Sequence, residues 1–434
     1  VQHFFADIPG WCDFADLYRD VVRALPDGAR IVEVGVWQGQ STAALGVEIA
    51  NSGKAIRLDV VDWFQGSPND GLDSLDDQRA RFDRHVAPIR HLIRDVHAER
   101  STEAARHYPD GSLDFVFIDA AHDSASVLAD LNAWYPKVKP GGLLAGHDHD
   151  WATVQQALYP WSWQHGVSAQ PVSRRCWQVR KPVPIDPALL VTPAGDRRCV
   201  VAVCSNERTV YRQTAASLLS LGWGARVTEA AARHGFVDVS VTWESKALLV
   251  SDLRNRVATM ARGLHASHIL FLDADMTWPS DVLDRMLAHH DQGIVSGLYH
   301  LKNWPHWPVA LNQPTANTAT TSVDYHYDTA VHEQTGLVRE ALVGMGCTLV
   351  PTVIFEAMPQ PWFEYRQNMH GAWAVTEDVP FCEKAAALGV PIWVDPSVKC
   401  RHIGADPVGE AHYERARVEL HMLDQLRTRE AVPA

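Results

Sequence analysis

Leu113-Asp114-Phe115-Val116-Phe117-Ile118-Asp119-Ala120-Ala121-His122 is the stretch that decides the fold. An apolar run of strand length, Leu113 to Ile118, stops at an acid, and a histidine follows three residues on. The pattern returns where Leu143 to Ala145 runs into Gly146-His147-Asp148-His149-Asp150, and again where Ile269 to Leu272 runs into Asp273-Ala274-Asp275. Open α/β sheets place their ligands at such strand ends. One chain therefore carries two separate acidic sites.

Outward from this stretch, strands and helices alternate. Phe14, Leu17, Val21, Val22 and Leu25 recur at helical spacing over residues 12–25, and Pro26-Asp27-Gly28 breaks that helix. A strand (Arg30 to Val34) enters a glycine loop, and a helix (Ser41 to Ile49) leaves it. A second strand covers Ala55 to Val61. The polar, acidic segment Asn69 to Asp83 reads as a surface lid or helix. Helices are expected at Thr102 to His107 and Ser124 to Tyr135, with a turn at Lys139-Pro140-Gly141-Gly142 before the strand Leu143 to Ala145. This alternation predicts a parallel, doubly wound sheet.

Residues 181–197 form the expected linker, with prolines at 182, 184, 187 and 193. The pattern then restarts. Strands are expected at Cys199 to Val203, Ile269 to Leu272 and Ile294 to Gly297, and helices at Tyr211 to Leu221, Leu253 to Leu264 and Pro279 to His289. Residues 303–335 read as a loop or hairpin region. The organisation is thus α/β with two doubly wound domains, 1–180 and 198–408, and a charged C-terminal helix over 409–434.

Composition sets the outer bounds. A chain of 434 residues suits two to three domains. The formal net charge of −13 argues against a general nucleic-acid binder, which needs a basic face. No apolar run is long enough to span a bilayer, no signal-peptide pattern opens the chain, and the 7 cysteines form no CxxC pair, so a cytoplasmic setting is expected. The 16 tryptophans include Trp304, Trp307, Trp362 and Trp373, whose flat faces suit sugar rings as well as cores.

In the first half, Glu33-Val34-Gly35-Val36-Trp37-Gln38-Gly39 joins the first strand to its helix. Its glycines allow close approach of a ligand, but GxGxxG is missing, which speaks against a dinucleotide enzyme. Asp62, ending the second strand, is placed to accept hydrogen bonds from ribose hydroxyls. Together with Asp62-Trp63, Asp114 to Asp119, Asp130-Leu131 and Lys139 to Asp148, this stretch resembles class I S-adenosylmethionine-dependent O-methyltransferases of the sugar and small-molecule type. The resemblance implies a Rossmann-like fold and a cofactor held by Glu33, Gly35, Gly39, Ser41, Asp62, Trp63, Ser101 and Asp119. Catechol-type members use a divalent ion. By that likeness Asp119, His147 and Asp148 are its ligands and His122 stands where a base is carried. Mg²⁺ prefers oxygen, whereas Mn²⁺ tolerates imidazole, so Mg²⁺ and Mn²⁺ both stay open.

In the second half, Asp273-Ala274-Asp275 at a strand end can grip an ion that bridges a diphosphate. With Val200 to Val203, Arg254-Asn255, Gly344-Met345-Gly346-Cys347, Thr376 to Cys382 and His402-Ile403-Gly404, it resembles GT-A glycosyltransferases of the family-2 type. That likeness implies Asp273, Asp275 and His402 at a metal, Arg254 at the nucleotide-diphosphate sugar donor, and Asp378 as base with Glu377 as its fallback. A plain helix cap at Glu377-Asp378 is the other reading of that pair. The expectation for the whole chain is a bifunctional enzyme that transfers a sugar to a glycan or glycoconjugate acceptor and O-methylates a sugar hydroxyl, with oligomeric state open. The alternative keeps one domain catalytic and makes the other a carbohydrate-binding or dimerising module.

Overall fold

The computed structural model describes residues 1–66, 77–173, 175–205, 211–221, 225–244, 249–312, 325–367, 373–403, 407–410, 412–414 and 416. The chain divides into two compact units, Val1–Val183 and Pro184–Ala434.

The first unit is built on a seven-stranded sheet. Its strands are β1 (Arg30–Val34), β2 (Arg57–Val61), β3 (Ile93–His97), β4 (Leu113–Ile118), β5 (Val138–Gly146), β6 (Gln170–Pro171) and β7 (Trp177–Arg180), in the order β3-β2-β1-β4-β5-β7-β6. Strands β3 to β5 in that order are parallel, and β7 and β6 are antiparallel. Chain order reverses between β1 and β4, so the crevice at their carboxyl ends is the natural ligand position. Both faces of the central strands β1 and β4 are covered, which is why they are mostly apolar. Tyr18, Val22, Phe115 and Phe117 pack on one face, and Val116, Leu131, Trp134 and Trp161 on the other. Each fully buried aromatic or aliphatic side chain contributes about 1.5–3 kcal/mol.

Three features depart from the sequence expectation. The Lys139-Pro140-Gly141-Gly142 stretch is not a separate turn but lies inside β5, where a register shift against β4 takes up the irregular residues. The edge strand β3 was missed because its exposed Arg94 and Asp95 hide any apolar pattern. Helix Ala152–Gln164 was missed because Pro160 interrupts its sequence pattern. Of the lid segment, 67–76 lie outside the described residues, and Gln78–His85 is helical.

The second unit holds another seven-stranded sheet, ordered Val338–Arg339, Ile392–Lys399, Ile294–Leu298, Cys347–Pro351, His268–Asp273, Arg197–Cys204, Phe236–Glu244. It is mixed rather than wholly parallel, since Cys347–Pro351 runs antiparallel to both neighbours. The proline-rich stretch joins this unit rather than hanging free. Ile185 donates its N–H to Leu388 O, and Leu190 is buried in the unit's core. Trp362 is also core. Residues 313–324, within the expected loop region, lie outside the described residues, and flanking strands Ala310–Asn312 and His326–Tyr327 pair antiparallel. Most of the expected C-terminal helix, including 417–434, lies outside the described residues. Among the described residues, no helix is long and apolar enough to cross a membrane.

Candidate functional site

The carboxyl ends of β1, β2 and β4 open onto a cavity of about 530 Å³. Gly35, Ser41, Asp62, Trp63, Ser101, Asp119 and His122 all line it. Gly35 sits at φ +82°, and a Cβ there would lie 1.9 Å from Asp119 O, so only glycine lets the loop after β1 pass the end of β4. Asp62 fixes that loop from below. Its Oδ2 accepts the N–H groups of Val36 and Trp37 at 2.9 and 2.8 Å, and its Oδ1 accepts Phe64 N–H at 2.7 Å. A carboxylate offers about four acceptor positions, so Oδ1 keeps room for a ligand hydroxyl. Burial pushes the Asp62 carboxyl up, against the pull of these three N–H groups.

Two expected cofactor residues lie elsewhere. Glu33 and Gly39 are not among the described residues lining the cavity. Glu33 is fully buried and accepts hydroxyls from Tyr18 at 2.8 Å and Thr42 at 2.7 Å. Burial pushes its pKa up to about 7, opposed by hydrogen bonds from Ser41, Thr42 and Tyr18. It ties the loop and its helix to the first helix, Ala15–Ala24, instead of facing a ligand. Gly39 turns the chain into helix Gln40–Ser52 beside Val86 and Phe82. Sequence reasoning missed other wall residues. Trp11 stacks on Trp37 with ring centroids 5.0 Å apart, Arg100 lies over Trp63, and Asp130 meets Ser101. Burial lifts Asp130 to about 6. Ser101 Oγ accepts Trp134 Nε1–H at 2.8 Å.

At the lip of the cavity four side chains converge. His122 Nε2 is 2.7 Å from Asp148 Oδ2 and 3.7 Å from Asp119 Oδ1. His147 Nδ1 is 3.2 Å from the same Asp148 oxygen and 3.7 Å from the same Asp119 oxygen. One ligand atom each from Asp119, His122 and Asp148 falls within 4.8 Å of the others. Strand ends deliver all of these groups. Asp119 and His122 follow β4, and His147 and Asp148 follow β5. Trp177 of β7 locks that second end, because its indole packs over Gly146 and donates to His147 O at 3.1 Å. Asp148 holds φ +53°, a left-handed backbone that few non-glycine residues adopt.

Electrostatics in this cluster are strongly coupled. Burial alone would lower His122, yet hydrogen bonds and charge from Asp119 and Asp148 outweigh it and raise the imidazole to about 11. The same balance raises His147 to about 9, with Asp13 adding to it. Asp148 is held well below the usual carboxylate range by the two imidazoles, despite its burial. Asp119, Asp148 and the His122 imidazole share one point, with His147 Nδ1 beside the same two acids, and a mixed oxygen and nitrogen donor set of this kind suits Mn²⁺ better than Mg²⁺. His147 is also held from behind. Asp13 Oδ1 lies 2.9 Å from its Nε2, the relay by which proteins orient a metal-binding imidazole.

The second unit gathers its acids around a cation. Arg254 is 2% exposed and binds Asp273 at 2.8 Å, Asp378 at 2.7 Å, and Glu377. It sits under the acids as their counter-ion, buried too deeply to reach out to donor phosphates as expected, with its Nε lacking a hydrogen-bond partner among the described residues. Burial raises Asp378 to about 8, with Arg254 pulling down and Glu377 and Asp273 pushing up. Burial also raises Asp273. Glu377 occupies the N-cap of helix Asp378–Ala387 but makes no side-chain cap bond, which removes plain capping as its role. Asp275 pairs with Lys302, and His402 Nδ1 bonds His300 O. His402 lies opposite Met276 in a short strand pair, next to Asp275 in space and sequence register. Asp273, Asp275 and His402 do not close on a point as the Asp119 cluster does, because Arg254 and Lys302 hold the two acids.

Residues 32–149 match a family model described as a methyltransferase domain. This segment runs from within β1 to just past β5 and contains the lip cluster and most of the cavity wall, Gly10 and Trp11 lying before it. The first unit thus carries a methyltransferase domain. A Sinorhizobium fredii (strain NBRC 101917 / NGR234) relative, the uncharacterized protein y4gI, is 27% identical over 148 residues, which are 34% of this chain and 16% of that one. The chain thus spans 16% of the length of this curated relative. Among solved structures, the O-methyltransferase NovP is 18% identical, with 38% of this chain and 78% of that chain covered and a TM-score of 0.30. The O-methyltransferase TomG of Streptomyces achromogenes, solved in complex with S-adenosylmethionine, is 16% identical, with 40% and 82% covered and a TM-score of 0.30.

Proposed function

We propose that the methyltransferase domain moves the methyl group of S-adenosylmethionine to a hydroxyl of a small molecule such as a sugar, with a divalent ion held by Asp119, His147 and Asp148. One observation carries this reading: Asp119, His122, His147 and Asp148 converge at the lip of a cavity walled by the glycine loop and Asp62. Gly35, Asp62, Ser101 and Asp130, which line the cavity, would hold the cofactor there. A bound divalent ion supplies positive charge that lowers the pKa of an acceptor hydroxyl. His122 takes the hydroxyl proton at Nε2, as general base. It can do so only when the charge of Asp119 and Asp148 is neutralised, because their unopposed pull keeps the imidazole protonated. The hydroxyl oxygen then attacks the sulfonium methyl in line, and S-adenosylhomocysteine leaves. Trp151, 43% exposed and 4.8 Å from the His122 ring, offers a flat face beside the acceptor position. The test is Asp148→Ala. Methyl transfer is lost while calorimetry still shows S-adenosylhomocysteine binding; retained turnover, or turnover indifferent to chelator in the wild type, overturns the metal-assisted reading.

For the second unit we propose transfer of a sugar from a nucleotide-diphosphate donor to a glycan or glycoconjugate. Asp378 is the base, and Asp273 and Asp275 face the donor with a divalent ion. The reading is supported by the raised Asp378 carboxyl, poised near neutrality within hydrogen-bond reach of Arg254. Binding of a metal-diphosphate requires Asp275 to exchange Lys302 for the ion. Hydrolysis or transfer of nucleotide sugars with Mn²⁺ tests it. No turnover of any uridine or guanosine diphosphate sugar would leave this unit as the carbohydrate-binding or dimerising module.

A further inference from the structure

A second cluster of metal-binding side chains lies at the β3 edge of the first sheet, outside the Asp119 site. His97 ends β3, Glu99 follows in the loop, and His107 closes the short helical turn Ala105–His107. Glu99 Oε1 is 3.4 Å from His97 Nδ1 and 2.8 Å from His107 Nε2. The two imidazoles stack nearly parallel, 5.0 Å apart and 16° from coplanar. Both rings therefore bring a nitrogen to the same carboxylate oxygen, and the ligand atoms all fall within 4.8 Å. A tetrahedral zinc site, with ligand bonds of about 2.0–2.1 Å, sets its ligand atoms about 3.3 Å apart. The observed separations need only small side-chain shifts to match. Asp59 and Asp95 also lie within 4.8 Å of a His97 nitrogen, and both pair with Arg94. His107, half exposed, leaves an open path from solvent.

We propose that His97, Glu99 and His107 form a site for a borderline divalent transition metal, with Zn²⁺ as the probe and water as fourth ligand. Two imidazoles and one carboxylate select Zn²⁺ over Mg²⁺, which prefers an all-oxygen shell. Glu99, Arg100 and Ser101 also line the cavity, so an ion here pins one stretch of its wall.

The experiment is Zn²⁺ titration of the full chain by calorimetry in an Asp148→Ala background, which disables the lip cluster. One Zn²⁺ site is expected to remain. Adding His107→Ala is expected to weaken it at least tenfold, and adding Glu99→Gln to do the same. Co²⁺ is expected to give visible d–d absorption in Asp148→Ala that fades in the double variants. His107 is half exposed, so its loss leaves the fold intact, and the thermal midpoint without metal checks this. No Zn²⁺ binding in Asp148→Ala, or binding unchanged by both His107→Ala and Glu99→Gln, overturns the proposal.

Discussion

Asp13→Ala tests whether His147 is a prepared metal ligand. Asp13 precedes helix Ala15–Ala24 and reaches across to His147 Nε2 at 2.9 Å. His147 is 3% exposed at its side chain, so its ring N–H has no easy substitute in solvent. An unsatisfied buried donor costs about 1–3 kcal/mol. Asp13 itself is half exposed, which lets water take part of its place and puts the stability loss near the low end, ~1 kcal/mol. The larger effect falls on ligation. Loss of such an orienting carboxylate typically weakens metal affinity 10- to 100-fold, about 1.4–2.7 kcal/mol. The half-exposed position again argues for about tenfold. Calorimetric titration with Mn²⁺ in the presence of S-adenosylhomocysteine reads this directly. Asp13→Asn keeps an acceptor oxygen at the same place, and its affinity should stay within about threefold of wild type. Arg175, 3.5 Å from Asp13, retains Asp150 in both variants. Equal Mn²⁺ affinity in Asp13→Ala and wild type refutes the orienting role, and with it the ligand role of His147.

Three further outcomes follow from the buried charges. Glu33 is fully buried with a folded pKa of about 7 against an ordinary 4.5, so the stability its neutral form allows is complete below pH 4.5 and fades as pH rises through 7. The loss is ~3 kcal/mol by linkage, and urea midpoints of Glu33→Gln should fall less than wild type between pH 5 and 8. Arg254→Met strips the counter-ion from Asp273, Glu377 and Asp378. It should destabilise the second unit by about 3–5 kcal/mol, more above pH 8 than at pH 6, as chemical denaturation would show. Asp378→Asn should abolish sugar transfer with an unchanged circular dichroism spectrum; intact transfer would remove Asp378 as base.

What the sequence made legible was local. β1 and β4 announce themselves because both faces are buried and most positions are apolar, Arg30, Glu33 and Asp114 being the exceptions. The acids after β4 and β5 stand out against such apolar runs, and the family resemblance set Asp119 beside Asp148 before any coordinates. Partners brought in by the fold were not visible. Asp13 meets His147 across 134 positions of sequence, and Arg254 meets Glu377 and Asp378 across 123 and 124. No periodicity encodes such pairs. Glu33 misled for a related reason. A carboxylate beside a glycine loop reads as ligand-facing, and only the burial of Tyr18 beneath it shows that it points into the core. β5 was cut short because Pro140, Gly141 and Gly142 are turn residues by composition; they form an irregularity within the strand, Gly141 at φ +79°, and regular pairing to β4 and β7 resumes at Leu143.

The left-handed backbone at Asp148 carries an evolutionary corollary. Aspartate tolerates φ +53° better than most residues, yet glycine would adopt it with no steric opposition. Glycine there relaxes the backbone but strips His122 and His147 of their shared carboxylate, so selection for heat tolerance alone weighs strain against ion pairing at this one position. Recovery of sturdy, inert Asp148→Gly clones would mark a spot where robustness and turnover pull the chain in opposite directions.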